Sequence, residues 1–557
     1  MALSSFIPPS SSGEPYRYQE LNDFTGGLNL RADQSSLAMN ESPDLLNVDV
    51  DPRGGVERRD SIEALNSTVL NGDVLLITGH HETASGTNQI LVAAKNGTDT
   101  ELWFGTGSDF ALINDGNPTL LLTGTEPPTA VTFNDSTYIS NGEFFDTDKS
   151  AVRWRGSNSA TALTPDLDGT NGHFPLARFT ATWGERIWAA YTSEDGSDHA
   201  SRIRWSKIND AENWTNEHYI DIDIGEHGDH ITGILSNGDH LLVFKHNSIY
   251  GVFGFDSDTF QVVNLTRVAG SIDGCPPVST PHGVFFWHAR DGLFLLGREG
   301  LAYAFERIKP ALTNAFMTLD TPPSLMWFDN RLWLSVEFQS GDGHVGDVQS
   351  GRRNVFIWDP SLGDGGAWTR YDINAKTLFS YRPPMDTHLG LCATSELSDV
   401  TGAAFTRVSK VMQNGDVDDY TGSGATEIYS HYQTHWLSGN RPTFPKRWGK
   451  TRTVLLADNK VRVTMDIFKN YQIGSGVSHF KDVEGDASSA VWGTGVWGTS
   501  KWVSLGIASI YKFFRWPSAG TAKAISIRFS ITPGNINGRG KWGVTSVVGM
   551  YRTRRLR

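Results

Sequence analysis

A two-strand unit returns five times through the middle of this chain, and it limits the fold more than any other feature. Each copy is a small apolar strand, a polar turn and a strand of large apolar residues. The copies run Val131 to Ile139, Ala181 to Ala189, Gly233 to Phe244, Pro281 to Trp287 and Leu325 to Leu334. The first apolar residues after the turns are Tyr138, Ile187, Leu241, Val284 and Leu332, spaced by 49, 54, 43 and 48 residues. A period near 50 leaves room for about four short strands per unit, the repeat of a β-propeller blade. Val74 to Ile77 with Ile90 to Ala93 predicts another blade before the first copy. Phe356 to Trp358 with Leu389 to Leu391 predicts one after the last. The expectation is an all-β chain carrying a propeller of about six blades, with five to seven admitted. A string of unrelated hairpins packed in sandwiches is the competing arrangement.

The flanks follow other patterns. Residues 1–69 read as an N-terminal arm or platform segment of strands and turns, 70–427 as an acidic propeller-like domain, and 428–557 as a basic β-sandwich. At 557 residues the chain exceeds what one core supports. Its 58 glycines and 18 tryptophans suit short strands and tight turns, and only Ile308 to Met317 reads as a short helix. From Ile428 onward, His431 to Leu437, Val461 to Ile467, Ala524 to Ile531 and Val547 to Tyr551 alternate as sandwich strands do. Ala490 to Gly498 is a Trp-Gly-rich loop, read as either a contact with a neighbouring subunit or a turn packing its own tryptophans.

The net charge of −14 conceals a division. Residues 430–557 hold 20 of the 48 Lys and Arg but 5 of the 62 Asp and Glu, a net of +15, which leaves −29 on residues 1–429. Such asymmetry predicts separate electrostatic roles. Lys446, Arg447, Lys450 and Arg452, with Arg552, Arg554, Arg555 and Arg557 at the end, are candidate contacts to phosphates or to an acidic protein partner. An acidic wall would instead let a duplex slide past without sticking.

No reaction centre is legible. A glycosidase needs two carboxylates about 5 Å or about 6.5–9.5 Å apart, and no pair stands out among the acids. Ser193 to Asp198 lacks the Trp of a sialidase turn. Asp221 and Asp223 alternate with Ile220, Ile222 and Ile224, and solvation of an edge strand explains them. His80-His81-Glu82 and His227-Gly228-Asp229-His230 lack HExxH spacing and read as turn histidines. Asp416 to Asp419 lacks the ladder of an EF-hand loop. No cofactor, metal or catalytic residue is expected. Cys275 and Cys392 read as two separate buried thiols. Met1 to Pro15 lacks the features of a signal peptide, and no run approaches a membrane span.

One stretch carries a resemblance. Phe24-Thr25-Gly26-Gly27-Leu28-Asn29 is followed by Ser42-Pro43-Asp44-Leu45-Leu46-Asn47-Val48-Asp49-Val50-Asp51, then Gly54-Gly55-Val56-Glu57-Arg58-Arg59-Asp60. With the β-rich body behind it, this order resembles the opening of bacteriophage short-tail nozzle proteins. These are also called tail tubular protein B and are related to hub proteins that stabilise packaged DNA. The resemblance implies a non-enzymatic virion component of the tail, made in the host cytoplasm. It implies a homo-oligomeric ring, a hexamer, below portal and adaptor, with contacts to tail fibres and non-specific contact with double-stranded DNA during ejection. In that family the propeller sits in the ring wall, while N-terminal and other non-propeller parts build the platform and channel. No gate residue carries over. Two alternatives stand beside it: a host-surface carbohydrate-binding or carbohydrate-cleaving propeller, and a hub or connector of a long-tailed phage.

Overall fold

The structure is a computed structural model. It describes residues 16–66, 69–70, 72–83, 85–106, 109–113, 122–124, 126–142, 150–165, 167, 172–194, 196–224, 229–312, 315–316, 322–338, 352–363, 365–384, 386–397, 404–413, 417–418, 426–457, 460–484, 510–531 and 541–553. Among the described residues strands predominate, with one helical turn at Lys309–Leu312 where the sequence suggests a short helix.

Seven antiparallel sheets follow one another along the chain. Their first strands are Val74–Glu82, Thr129–Phe133, Leu176–Trp183, Ile231–Asn237, Val278–Thr280, Ser324–Phe328 and Ala375–Tyr381. Each first strand packs beside the next, and the last packs beside the first, so the seven enclose a central axis. The protein therefore contains a seven-bladed β-propeller, at the upper end of the expected range. All five repeat markers lie on second strands, in the second to sixth blades. The pair proposed for a last blade is divided: Phe356 to Trp358 is the third strand of the sixth blade, while Leu389 to Leu391 belongs to the seventh.

The polar turn of the repeat has a definite geometry. Asn134 and Asp135 (φ 48° and 56°), Gly184 and Glu185 (59° and 56°), and Asp329 and Asn330 (51° and 55°) occupy two-residue loops with both residues left-handed. This turn matches the right-handed twist of its flanking strands, and Asn, Asp and Gly tolerate it at least cost. Between blades, large apolar side chains interleave. Trp188 lies 5.0 Å from Phe260 of the fourth blade, and within its own blade 5.5 Å from Trp183 and 5.1 Å from Trp205, centroid to centroid.

The ring is closed by a strand from the far end of the chain. Ser61–Ala64 pairs with Ala404–Gln413 as the outermost strand of the seventh blade, placing Ala64 opposite Ser409 and Glu63 opposite Lys410. Leu65 N–H continues the pairing to Val408 O at 2.8 Å. The inner seam between blades seven and one is equally close. A Cβ on Gly79 would lie 2.0 Å from the Tyr381 ring, and the Tyr381 hydroxyl donates to His80 O at 2.8 Å.

The second module is a two-sheet sandwich. One sheet orders Ile510–Ala522, Lys446–Ala457, Trp542–Thr553, Val56–Arg58 and Val48–Val50, with Arg17–Leu21 also paired to Trp542–Thr553. The other orders Leu45–Leu46, Ser430–Gln433, Ile525–Ile531, Lys460–Lys469 and Gln472–Glu484. The N-terminal strands and turns thus do not stand apart. They are laid into the sandwich, and the chain then leaves to build the propeller and returns. Leu21, Phe24, Val48, Val50 and Val56 join Trp448, Trp516, Trp542, Ile527 and Phe529 in one core that continues into Leu334, Phe356 and Trp368 of the sixth blade. Ion pairs tie the same junction. Arg59 and Asp418 pair at 2.5 Å with side chains 2% and 5% exposed. Asp44 receives Arg528 from the sandwich at 2.7 Å and Arg370 from the sixth blade at 3.4 Å. Burial alone would raise the Asp44 carboxyl, but His431, Arg370 and Arg528 hold it well below the usual carboxylate range.

Cys275 and Cys392 are separate, buried free thiols, each pushed up to about 12 by burial. Among the described residues no helix is long and apolar enough to cross a membrane.

Candidate functional site

The described basic residues singled out in the sequence fall on one sheet of the sandwich, on Lys446–Ala457 and Trp542–Thr553. Lys446–Ala457 alternates along most of its length, so Trp448 turns inward at 1% exposure while Arg447 faces out. Arg447 lies directly opposite Arg552 on the neighbouring strand. Past an irregularity in the pairing, Lys450 is exposed and Arg452 half-buried, with Arg452 opposite Arg515 of Ile510–Ala522. Tyr16 stacks on Arg552, its ring centroid 4.9 Å from the guanidinium carbon. Tyr18 (49% exposed) and Phe513 (77%) flank the patch. Like charges directly opposite on adjacent strands repel, so this face favours an anionic partner. Five cations interleaved with aromatic rings can neutralise phosphates or carboxylates without reading sequence.

Lys446 is a correction. It is 0% exposed, and its ammonium donates to the carbonyls of Arg441, Phe444 (3.0 Å) and Lys523 (2.9 Å). Burial and nearby Arg441 bring it down to about 8. It is an internal tie, not a contact to a partner: the strand period places it on the Trp448 side. Arg554, Arg555 and Arg557 lie outside the described residues, as do the Trp-Gly loop and Asp416 and Asp419. Sequence reasoning missed Arg515, Tyr16 and Tyr18. Alternation in Phe513-Phe514-Arg515 and in Tyr16-Arg17-Tyr18 was the available signal, but which strand neighbours which is a long-range matter.

The other sequence candidates are engaged locally. Asp221 does lie on an edge strand, Tyr219–Asp221, but it is not merely solvated: Arg202 Nε reaches its Oδ1 at 2.7 Å. Asp223 accepts from the Tyr250 hydroxyl at 2.5 Å. Glu194, in the sialidase-like turn, binds Arg202 and Arg204; burial opposes its ionisation, yet those bonds and Thr192 bring it down to about 2. His80 is buried, its Nδ1 2.9 Å from Thr137 Oγ1, and His81 Nδ1 sits 2.7 Å from Asn88 Oδ1.

At the propeller mouth where the first strands begin, the carboxylates have basic partners. Asp73 pairs with Lys376 at 2.7 Å, Glu126 with Arg178 at 3.8 Å, and Asp273 with His230 at 2.8 Å. Arg178 also lies over the Tyr191 ring at 5.4 Å. His230, His246 and Asp273 are the group here whose donor atoms could hold a metal.

No protein-family model matches the chain, and no curated protein matches it in sequence. Among solved structures, exo-β-1,3-galactanase from Phanerochaete chrysosporium aligns at 10% identity and a TM-score of 0.24, over 88% of this chain and 100% of that one. AztD from Citrobacter koseri, in its apo form, aligns at 9% identity and TM-score 0.27, over 58% of this chain and 88% of that one. The AfRom2 CNH domain aligns at 10% identity and TM-score 0.30, over 62% of this chain and 98% of that one. Likenesses this loose carry no argument about activity, so the reading of this chain stands on its own residues.

Proposed function

We propose that this protein is a structural component of a bacteriophage tail. It would form the ring-shaped nozzle that extends the DNA channel below portal and adaptor, retains packaged DNA and opens for ejection. The observation that supports the reading is the way both chain ends meet in one non-propeller module. The described strands of residues 17–58 and 430–553 together make a sandwich whose core continues into the sixth blade, which suits a nozzle whose propeller sits in the ring wall. The charge division suits a ring, because a heterologous interface joins one patch to a different patch on the next copy. The Arg447, Lys450, Arg552 face is the candidate donor of positive charge, to the acidic surface of the neighbour or to the duplex. Partners would be five further copies, the adaptor and portal complex, tail fibres and non-specific duplex DNA. Electron microscopy of the purified chain or of virions tests this. Closed rings with a lumen wide enough for a duplex are expected; a stable monomer in virions overturns it.

A second reading, a carbohydrate-binding or carbohydrate-cleaving propeller, draws on the mouth that gathers Tyr191, Arg178, Glu126, His230 and Asp273. A glycan array and a reducing-end release assay separate the two. Turnover lost on Glu126→Gln or Asp273→Asn would favour the enzyme.

A further inference from the structure

Three loops at one mouth of the propeller bring together residues far apart in sequence. His230 immediately precedes Ile231–Asn237, the first strand of the fourth blade. His246 follows His240–Lys245, whose Lys245 lies opposite Ile231, so both histidines sit at the same end of that blade. Asp273 comes from the loop between the fourth and fifth blades, fastened to the fourth by a 2.7 Å contact between Ser271 Oγ and Thr232 Oγ1. His230 Nε2 lies 2.8 Å from Asp273 Oδ2, and the two imidazole rings meet edge to face with centroids 4.5 Å apart. One donor atom from each of the three falls within 4.8 Å of the others.

Two further features point to a missing partner. Asp273 Oδ1 is buried without a hydrogen bond, an expensive state for a carboxylate oxygen. The two imidazoles also meet edge to face at contact distance with a carboxylate beside them, an arrangement that suits ring nitrogens shared by one cation. His246 is half-buried beside His230, one of its ring nitrogens among the three converging donor atoms. Its backbone N–H is pinned to Asp229 Oδ1 at 2.8 Å, which fixes the turn from outside the cluster. Arg178, whose charge also reaches Asp273, pairs with Glu126 at 3.8 Å and lies over the Tyr191 ring.

We propose that His230, His246 and Asp273 form a binding site for one divalent transition-metal ion, zinc being the best match. Ligands at about 2.0–2.1 Å in a tetrahedral site stand about 3.3 Å apart. The three donor atoms, all within 4.8 Å of one another, stand near that spacing. Two imidazoles and one carboxylate suit zinc and related borderline ions over calcium or magnesium, which prefer all-oxygen shells. Three protein ligands leave a fourth position open toward the mouth, for water or for a group from a partner. This inference does not depend on the nozzle reading.

The test uses the full chain, stripped with chelator and titrated with zinc chloride by calorimetry, then with cobalt(II) as a spectroscopic probe. One zinc per chain is expected, with a visible cobalt band of tetrahedral nitrogen–oxygen ligation. His246→Gln and Asp273→Asn should each weaken zinc about tenfold or more and abolish the cobalt band, while His81→Ala binds as the parent does. Asp273→Asn is isosteric and His246→Gln removes only the ring, and unchanged metal-free melting temperatures establish that both fold. In the parent alone, zinc should raise the melting temperature. Absence of stoichiometric zinc binding by the parent overturns the proposal, as does full affinity in both variants.

Discussion

The propeller and the sandwich are both antiparallel β-structure, yet they store their instructions differently. A blade is specified within about fifty residues: strand, left-handed two-residue turn, strand, then two more strands. Asn134-Asp135 and Asp329-Asn330 pair their flanks directly, with Phe133 opposite Ser136 and Phe328 opposite Arg331. The sandwich pairs Arg17 with Tyr551 and Leu45 with Tyr432, strands that meet only after the whole propeller has intervened. The difference teaches where the chain is exposed to error. Local hairpins close at small entropic cost, whereas the sandwich and the last blade both wait for distant partners.

The largest effect is expected where the two regions join. Asp418→Ala takes a carboxylate from buried Arg59 and should cost about 3–5 kcal/mol. Because one core runs from Trp516 through Val48 to Trp368, urea unfolding should remain a single transition with both modules lost together. Two separated transitions would show the junction to be weaker than its burial indicates. Next comes a blow confined to the blades. Trp188→Ala removes the centre of an aromatic cluster and should cost about 3–5 kcal/mol, read by denaturation and by loss of near-ultraviolet circular dichroism.

Smaller, and confined to the sandwich, is the contrast between neighbours on one strand. Lys446→Ala strands three backbone carbonyls and should cost about 1–3 kcal/mol. Arg447→Ala should change stability by no more than about 0.5 kcal/mol while reducing the salt dependence of DNA or partner binding by about one charge. Equal effects would mean the strand faces are assigned wrongly.

The smallest effect is a pH dependence. Glu194 is depressed from 4.5 to about 2 in the fold, so its contribution is complete above pH 4.5 and is lost as pH falls toward 2. Glu194→Gln should flatten that portion of the acid-unfolding curve. An unchanged curve would show that Arg202 and Arg204 do not hold a charged carboxylate there.

Legibility followed the same divide. The repeat markers all land on second strands because alternation and turn residues act locally. The pairing of Phe356 to Trp358 with Leu389 to Leu391 failed because two edges of different blades look alike in sequence. The pairing of Asp221 and Glu194 with Arg202 and Arg204 was not legible, because cross-strand register decides it. Lys446 seemed exposed because a basic run suggests a surface, although the Trp448 period already placed it inside. His230 looked like a turn histidine, since His246 and Asp273 come from separate loops.

By itself the sequence determined a β-propeller, its approximate blade count and the sorting of charge. Each of these rests on short-range pattern or on composition. Tertiary structure alone decided that Ser61–Ala64 closes the ring, that the N-terminal strands complete the sandwich, and that two histidines and an aspartate converge at the mouth. Those pairings are selected by burial and hydrogen bonding between segments hundreds of residues apart or on separate loops, and no local pattern encodes them.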